Sequence, residues 1–185
     1  MFSVRDVARV QGIGLESARV LCSRSTKSGQ FIRIRNNLYI LTERWSYLTL
    51  VEKLRLANRI QVPSYISLST AVFYHEISDQ LYRGAIESVA QKRSIAYPVR
   101  DQQFTYRLIK PDYYKGFSLR DGVFMAEPEK ALADVIYFSS IGRYAFDFRA
   151  LDWRHIDRSR LMAWLAALPE KTKTWWKDNG NLSNP

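Results

Sequence analysis

The run FIRIRNNLYIL, Phe31 to Leu41, constrains the fold more than any other stretch of this chain. Side chains alternate across a strand, so Ile32 and Ile34 point one way and Arg33 and Arg35 the other. Asn36 and Asn37 tolerate positive φ and suit a two-residue hairpin loop, which pairs Ile34 with Tyr39 and Ile32 with Leu41. The hairpin is therefore expected to close an apolar face and leave a cationic one open.

What precedes the hairpin is helical. Ser3 is placed to cap a helix from Val4 to Val10, with Asp6 three positions on in a weaker form of the capping box. The sequence QGIG breaks that helix, and a second is predicted over Leu15 to Ser25, with Leu15, Ala18, Leu21 and Cys22 on one apolar face. KSGQ ends it. Helix, short turn, helix, hairpin is the order of a winged helix-turn-helix, whose second helix enters the major groove. This assigns Ser17, Arg19, Ser23, Arg24 and Lys27 to a DNA-facing surface. Arg33 and Arg35, with Asn36 and Asn37 at the tip, would reach a phosphate or the minor groove. A solvated face accounts for any one of these arginines alone; their clustering on two adjacent elements points to DNA.

A domain of this type normally has three helices, and only two residues precede Ser3. The first helix is therefore expected to be missing from a domain over residues 1–42. WSYLTLVEKLRLANRI carries Leu48, Val51, Leu54 and Ile60 at helical spacing, so a linker helix over 43–62 is expected to supply the absent packing.

Charge supports the same division. The chain holds 28 Lys+Arg against 18 Asp+Glu, net +10, with a pI near 9.8. Residues 1–42 carry seven basic and two acidic side chains, half of that net charge in under a quarter of the length. An anionic partner such as double-stranded DNA is favoured. One cysteine, Cys22, excludes an internal disulfide framework and, with two histidines, an all-protein zinc site; a reducing cytoplasm fits. No run of eighteen apolar residues occurs and the N-terminus lacks a signal-peptide core, so neither membrane nor export is expected.

From residue 63 the texture becomes mixed α+β. Ser67 or Ser69 caps a short helix through Tyr74; GAIESVAQ, QFTYRLI and DGVFMA read as strands; EPEKALADVIYF reads as a helix with Pro128 in its first turn. This domain is expected over 63–170, followed by a frayed or weakly docked tail over 171–185. Tyr113, Tyr114, Phe117, Trp175 and Trp176 stand beside lysines in segments read as loops or ends. They are interface anchors for a partner, base-stacking platforms, or rings folded back on the core.

No catalytic constellation, metal site or cofactor is expected. Asp121, Glu127, Glu129 and Lys130 have the composition of a magnesium-dependent nuclease but not its spacing, because the acid and lysine do not alternate on a strand; acids opening a helix answer to its dipole. His75 and His155 lack triad partners. GIG at residues 12–14 is a helix break, not a dinucleotide fingerprint.

Three motifs in order, PSYISLSTAVFYHEISD, TYRLIKPDYYKGF and GVFMAEPEKALADVIYF, resemble the central domain of the AbiEi-type antitoxins of bacterial toxin-antitoxin and abortive-infection systems. The N-terminal segment resembles their winged helix-turn-helix, so the likeness covers about residues 1–140. It implies an antitoxin and autorepressor that binds operator DNA and counteracts a nucleotidyltransferase-fold toxin encoded alongside. The DNA role then falls on Ser17, Arg19, Arg24, Lys27, Arg33 and Arg35. A homodimer is expected of a repressor that reads paired half-sites.

Overall fold

In a computed structural model, residues 1–79 and 84–180 are described. Helix α1 (Val4–Gln11) begins where Ser3 caps it, with the full reciprocal capping box between Ser3 and Asp6, and ends at Gly12 in the left-handed region. Helix α2 (Leu15–Lys27) follows two residues beyond Ile13's turn, and a hairpin of β1 (Phe31–Arg35) and β2 (Leu38–Leu41) follows that. Both helices and the hairpin lie where the sequence places them.

The hairpin register differs from the expected one. Arg35 faces Leu38, as a two-residue loop requires, but Arg33 faces Tyr39 and Ile32 faces Ile40, because the register shifts between Arg33 and Arg35. The irregularity has a packing cause: both faces of the hairpin are used. Ile32, Ile34 and Ile40 enter the main hydrophobic core. Tyr39 joins a second, small cluster with Val4, Val7, Ala18 and Cys22, against which Phe2 and Phe31 pack. Phe2 also exchanges backbone hydrogen bonds with Tyr39, at 2.9 and 2.8 Å. The supposedly open cationic face thus carries its own aromatic packing.

The remaining elements are α3 (Thr42–Ser46), α4 (Leu50–Ile60), β3 (Ser64–Ile66), α5 (Leu68–Tyr74), β4 (Ala85–Ala90), β5 (Ile95–Val99), β6 (Gln102–Leu108), β7 (Phe117–Arg120), β8 (Val123–Ala126), α6 (Pro128–Ser140), α7 (Arg158–Ala166) and α8 (Glu170–Asn179). Strands β3 to β8 form one mixed sheet in the order β5-β6-β4-β3-β8-β7. The β6/β4 and β3/β8 pairs are parallel and the other three antiparallel. Helices cover both faces: the Tyr106 hydroxyl donates to the Ala57 carbonyl of α4 on one, and the Tyr65 hydroxyl donates to Asp134 of α6 on the other.

Helix α4 packs on β8, β3 and β4 of this sheet. Its buried residues, Leu54, Leu56, Ala57 and Ile60, share the main core with Ile32, Ile34 and Ile40 of the hairpin, while the small cluster of α1 and α2 contains none of them. The tail also departs from expectation. Helix α8 docks through Thr172, fully buried with its hydroxyl bonded to Ser140, while Trp175 and Trp176 pack edge-on against Phe148. Residues 181–185 of the predicted tail lie outside the described residues. No helix is long and apolar enough to cross a membrane, among the described residues.

Candidate nucleic-acid interface

A cleft of about 550 Å³ separates the first turns of α1 and α2 from the hairpin tip. Its walls include Arg5, Leu15, Arg19, Asn36, Asn37 and Tyr39. Local chemistry fixes the hairpin tip against α1: Asn37 adopts φ 58°, which an asparagine tolerates, and its Oδ1 accepts the Val4 N–H at 3.0 Å. Asp6 completes the cap, its carboxyl held below the usual range chiefly by the Ser3 backbone N–H, then by the Ser3 hydroxyl.

Of the sequence-predicted residues, the cleft brings together Arg19, Asn36 and Asn37. It adds Arg5, one of the seven basic side chains of residues 1–42. Leu15, assigned to the apolar face, is 45% exposed and lines the cleft instead. Ala18, Cys22 and Ser25 of α2 are buried and Leu21 and Thr26 half-buried, so the remaining helix surface is open. Around that surface the periodicity puts Arg19 and Ser23 on the flank nearer the cleft and Ser17 and Arg24 on the other, with Val20 and Lys27 between them. All six are exposed. Burial raises the Cys22 thiol, which agrees with an inert packing role.

The arginines are not equivalent. Arg19 pairs with Glu16 one turn back on the same exposed surface. Arg33 is exposed and donates to Asn36 Oδ1 at 3.1 Å. Arg35 is turned inward: its Nε donates to the Ile60 carbonyl at the end of α4 at 2.8 Å, and Nη1 to the Asn36 carbonyl at 3.3 Å. The expectation that Arg33 and Arg35 project together is corrected. A helix C-terminus presents unpaired carbonyls and negative potential, and Arg35 answers it.

Elsewhere the candidates resolve into packing. Tyr114 leans on Tyr65 and Phe117, and burial pushes its phenol up to about 12; Tyr113 meets Tyr137 edge-on. Like Trp175 and Trp176, they are half-buried against the main core. Gly116, between them and β7, has φ 78° and the Trp164 ring where a Cβ would stand. Glu129 is buried and accepts the Asp157 N–H at 3.0 Å, Lys130 pairs with buried Asp134, and Asp121 sits exposed in the β7–β8 turn. No group of three or more His, Cys, Asp or Glu side chains among the described residues is placed to hold a metal ion. His75 Nε2 donates to the Ala126 carbonyl at 2.8 Å, and His155 lies 3.7 Å from Asp152. No family profile, curated protein or solved structure matches this chain.

Proposed function

We propose that the chain is a cytoplasmic antitoxin and autorepressor whose N-terminal helices and hairpin act as a winged helix-turn-helix on operator DNA. The observation that carries the DNA half is the basic cleft between α2 and the hairpin tip. There Arg5 and Arg19 stand with the amide side chains of Asn36 and Asn37. Cations and amides at a helix–hairpin junction suit phosphate contacts that set register, with base contacts from the exposed side chains of α2. The antitoxin half, counteracting a nucleotidyltransferase-fold toxin, rests on the resemblance of the central motifs; the reading contains no catalytic step.

A second reading, a protein-interaction module whose DNA binding is vestigial, is favoured by the internal partnering of Arg19 with Glu16 and of Arg35 with the Ile60 carbonyl. Fluorescence anisotropy separates the two. The duplex upstream of the chain's own gene should bind more tightly than a scrambled duplex of equal length, and Arg5→Ala with Arg19→Ala should weaken binding to both and reduce its salt slope. Failure of both duplexes to bind at moderate salt removes the repressor reading. Rescue of growth on co-expression with the neighbouring gene product tests the antitoxin half; continued toxicity would rule it out.

A further inference from the structure

On the opposite side of the sheet from α4, a second cleft of about 510 Å³ opens between the β4–β6 ladder and the turn after α6. We propose that it binds a small phosphate monoester, held by Arg107, Arg143 and Thr105. The inference is independent of the DNA reading.

The ladder makes one wall. Ala85 pairs with Gln103 and Glu87 with Thr105, so Gln103, Thr105 and Arg107 share the face that looks into the cleft. The turn makes the other. Gly142, at φ 71°, lets the chain double back from α6, and the Arg143 N–H returns to the Phe138 carbonyl at 2.9 Å. The two walls are locked. Arg107 Nη1 donates to the Arg143 carbonyl at 2.8 Å, the Arg107 guanidinium lies 4.9 Å from the centre of the Tyr144 ring, and the Tyr144 hydroxyl donates to Glu87.

Three donors are left over. Arg107 Nε is buried with no hydrogen-bond partner among the described residues. A buried donor left unmade costs about 1–3 kcal/mol, so it calls for an acceptor. The Arg143 side chain is exposed on the cleft wall. Thr105 Oγ1 accepts from Gln103 Nε2 at 3.3 Å, which leaves its own proton to donate. Two guanidinium groups and a hydroxyl suit a tetrahedral oxyanion, and arginine's fork is matched to phosphate oxygens. The one acid in the wall, Glu87, has its Oε2 turned to other donors: it accepts from the Ser69 N–H, the Ser69 hydroxyl and Tyr144. Tyr144 stays a neutral donor, its phenol pushed up first by burial and then by Glu87. The volume lies within the range of small-molecule sites, enough for a phosphate and a sugar-sized body.

Calorimetric titration of the full chain with inorganic phosphate and with ribose 5-phosphate, against chloride at matched ionic strength, tests this. Saturable binding of both phosphates and not of chloride is expected. Arg143→Ala, which removes no described side-chain bond, should weaken it about tenfold, the worth of one charged hydrogen bond. Arg107→Lys keeps the charge but lacks Nε and the Nη1 bond to the Arg143 carbonyl, and should lose binding together with some stability. Phosphate behaving as chloride does, or binding unchanged in Arg143→Ala, overturns the proposal.

Discussion

Helices α2 and α6 are both thirteen residues long and both carry charged residues near their starts, yet they are built for opposite purposes. In α6 every residue from Glu129 to Ser140 is buried; in α2 only Ala18, Cys22 and Ser25 are. The charges follow the burial. The α6 pair, Lys130 with Asp134, has side chains 2% and 1% exposed, and Asp134 also accepts from Tyr65 and Ser67 at 2.9 and 2.8 Å. The α2 pair, Arg19 with Glu16, has side chains 62% and 82% exposed. One ion pair is a fixed part of the interior, and the other is held together weakly enough to be exchanged for a phosphate. Charge composition alone therefore does not locate an interface; burial decides which charged helix is available.

The contrast is broken most severely at Asp134. Asp134→Ala strands a buried ammonium and removes the acceptor of two hydroxyls, and should cost about 3–5 kcal/mol in urea denaturation. Joint replacement, Lys130→Met with Asp134→Leu, should recover the part due to the stranded ammonium but not the part due to the Tyr65 and Ser67 hydroxyls, which stay without their acceptor. If the single variant melts like the parent, the pair is not a fixed part of the interior. Glu16→Ala, by comparison, should change stability by less than about 1 kcal/mol, the ordinary range for an exposed pair. It should instead tighten DNA binding, since it frees Arg19 and removes an acid from the surface. Unchanged or weaker binding would count against Arg19 as a phosphate or base contact. Arg19→Ala itself should cost about 1–3 kcal/mol on the preferred duplex if it reads a base, and less on random duplex.

Arg35 and Arg33 divide the hairpin the same way. Arg35→Ala leaves the Ile60 carbonyl without its cation and should lower stability by about 1.5 kcal/mol. Arg33→Ala should leave the melting curve in place and reduce the salt slope of DNA binding by about one unit. If the two effects are exchanged, the assignment of one arginine inward and one outward is wrong.

What was legible in the sequence follows from where its information is local. Ser3 with Asp6, Pro128, and the Asn36-Asn37 turn encode their conformations within four residues, and α1, α6 and the hairpin form where expected. Three strands were not legible. Strand β3 has three residues, all buried, with no alternation to read; β5 carries Pro98, admissible only because it lies at the sheet edge; β7 is short and opens beside Gly116. The candidate site was half legible. The exposed positions of α2 came from periodicity, but Arg35's inward turn depends on the C-terminus of α4, 25 residues away, and Arg5's place in the cleft depends on the bond from Val4 to Asn37. Lys130 and Asp134 stand one helical turn apart in plain view; nothing in that spacing says that the pair is buried.

The smallest effect concerns His75, at the end of α5, where burial lowers its affinity for a proton although the Nε2 bond to the Ala126 carbonyl works the other way. With a folded-state pKa below the ordinary 6.5, the unfolded chain takes up a proton first as pH falls. Above the ordinary value both states are neutral at this site and it has no effect on stability. Below it the unfolded state is favoured, and the loss grows until the folded-state value is reached, after which it levels. Urea midpoints should therefore decline from pH 7 to pH 5, and His75→Gln should remove part of that slope while Arg19→Ala and Arg33→Ala leave it intact. A slope unchanged in His75→Gln would move the titration to another group. A slope altered by the α2 or hairpin arginines would mean that the exposed surface contributes to folding as the α6 interior does, and the distinction between the two helices would fail.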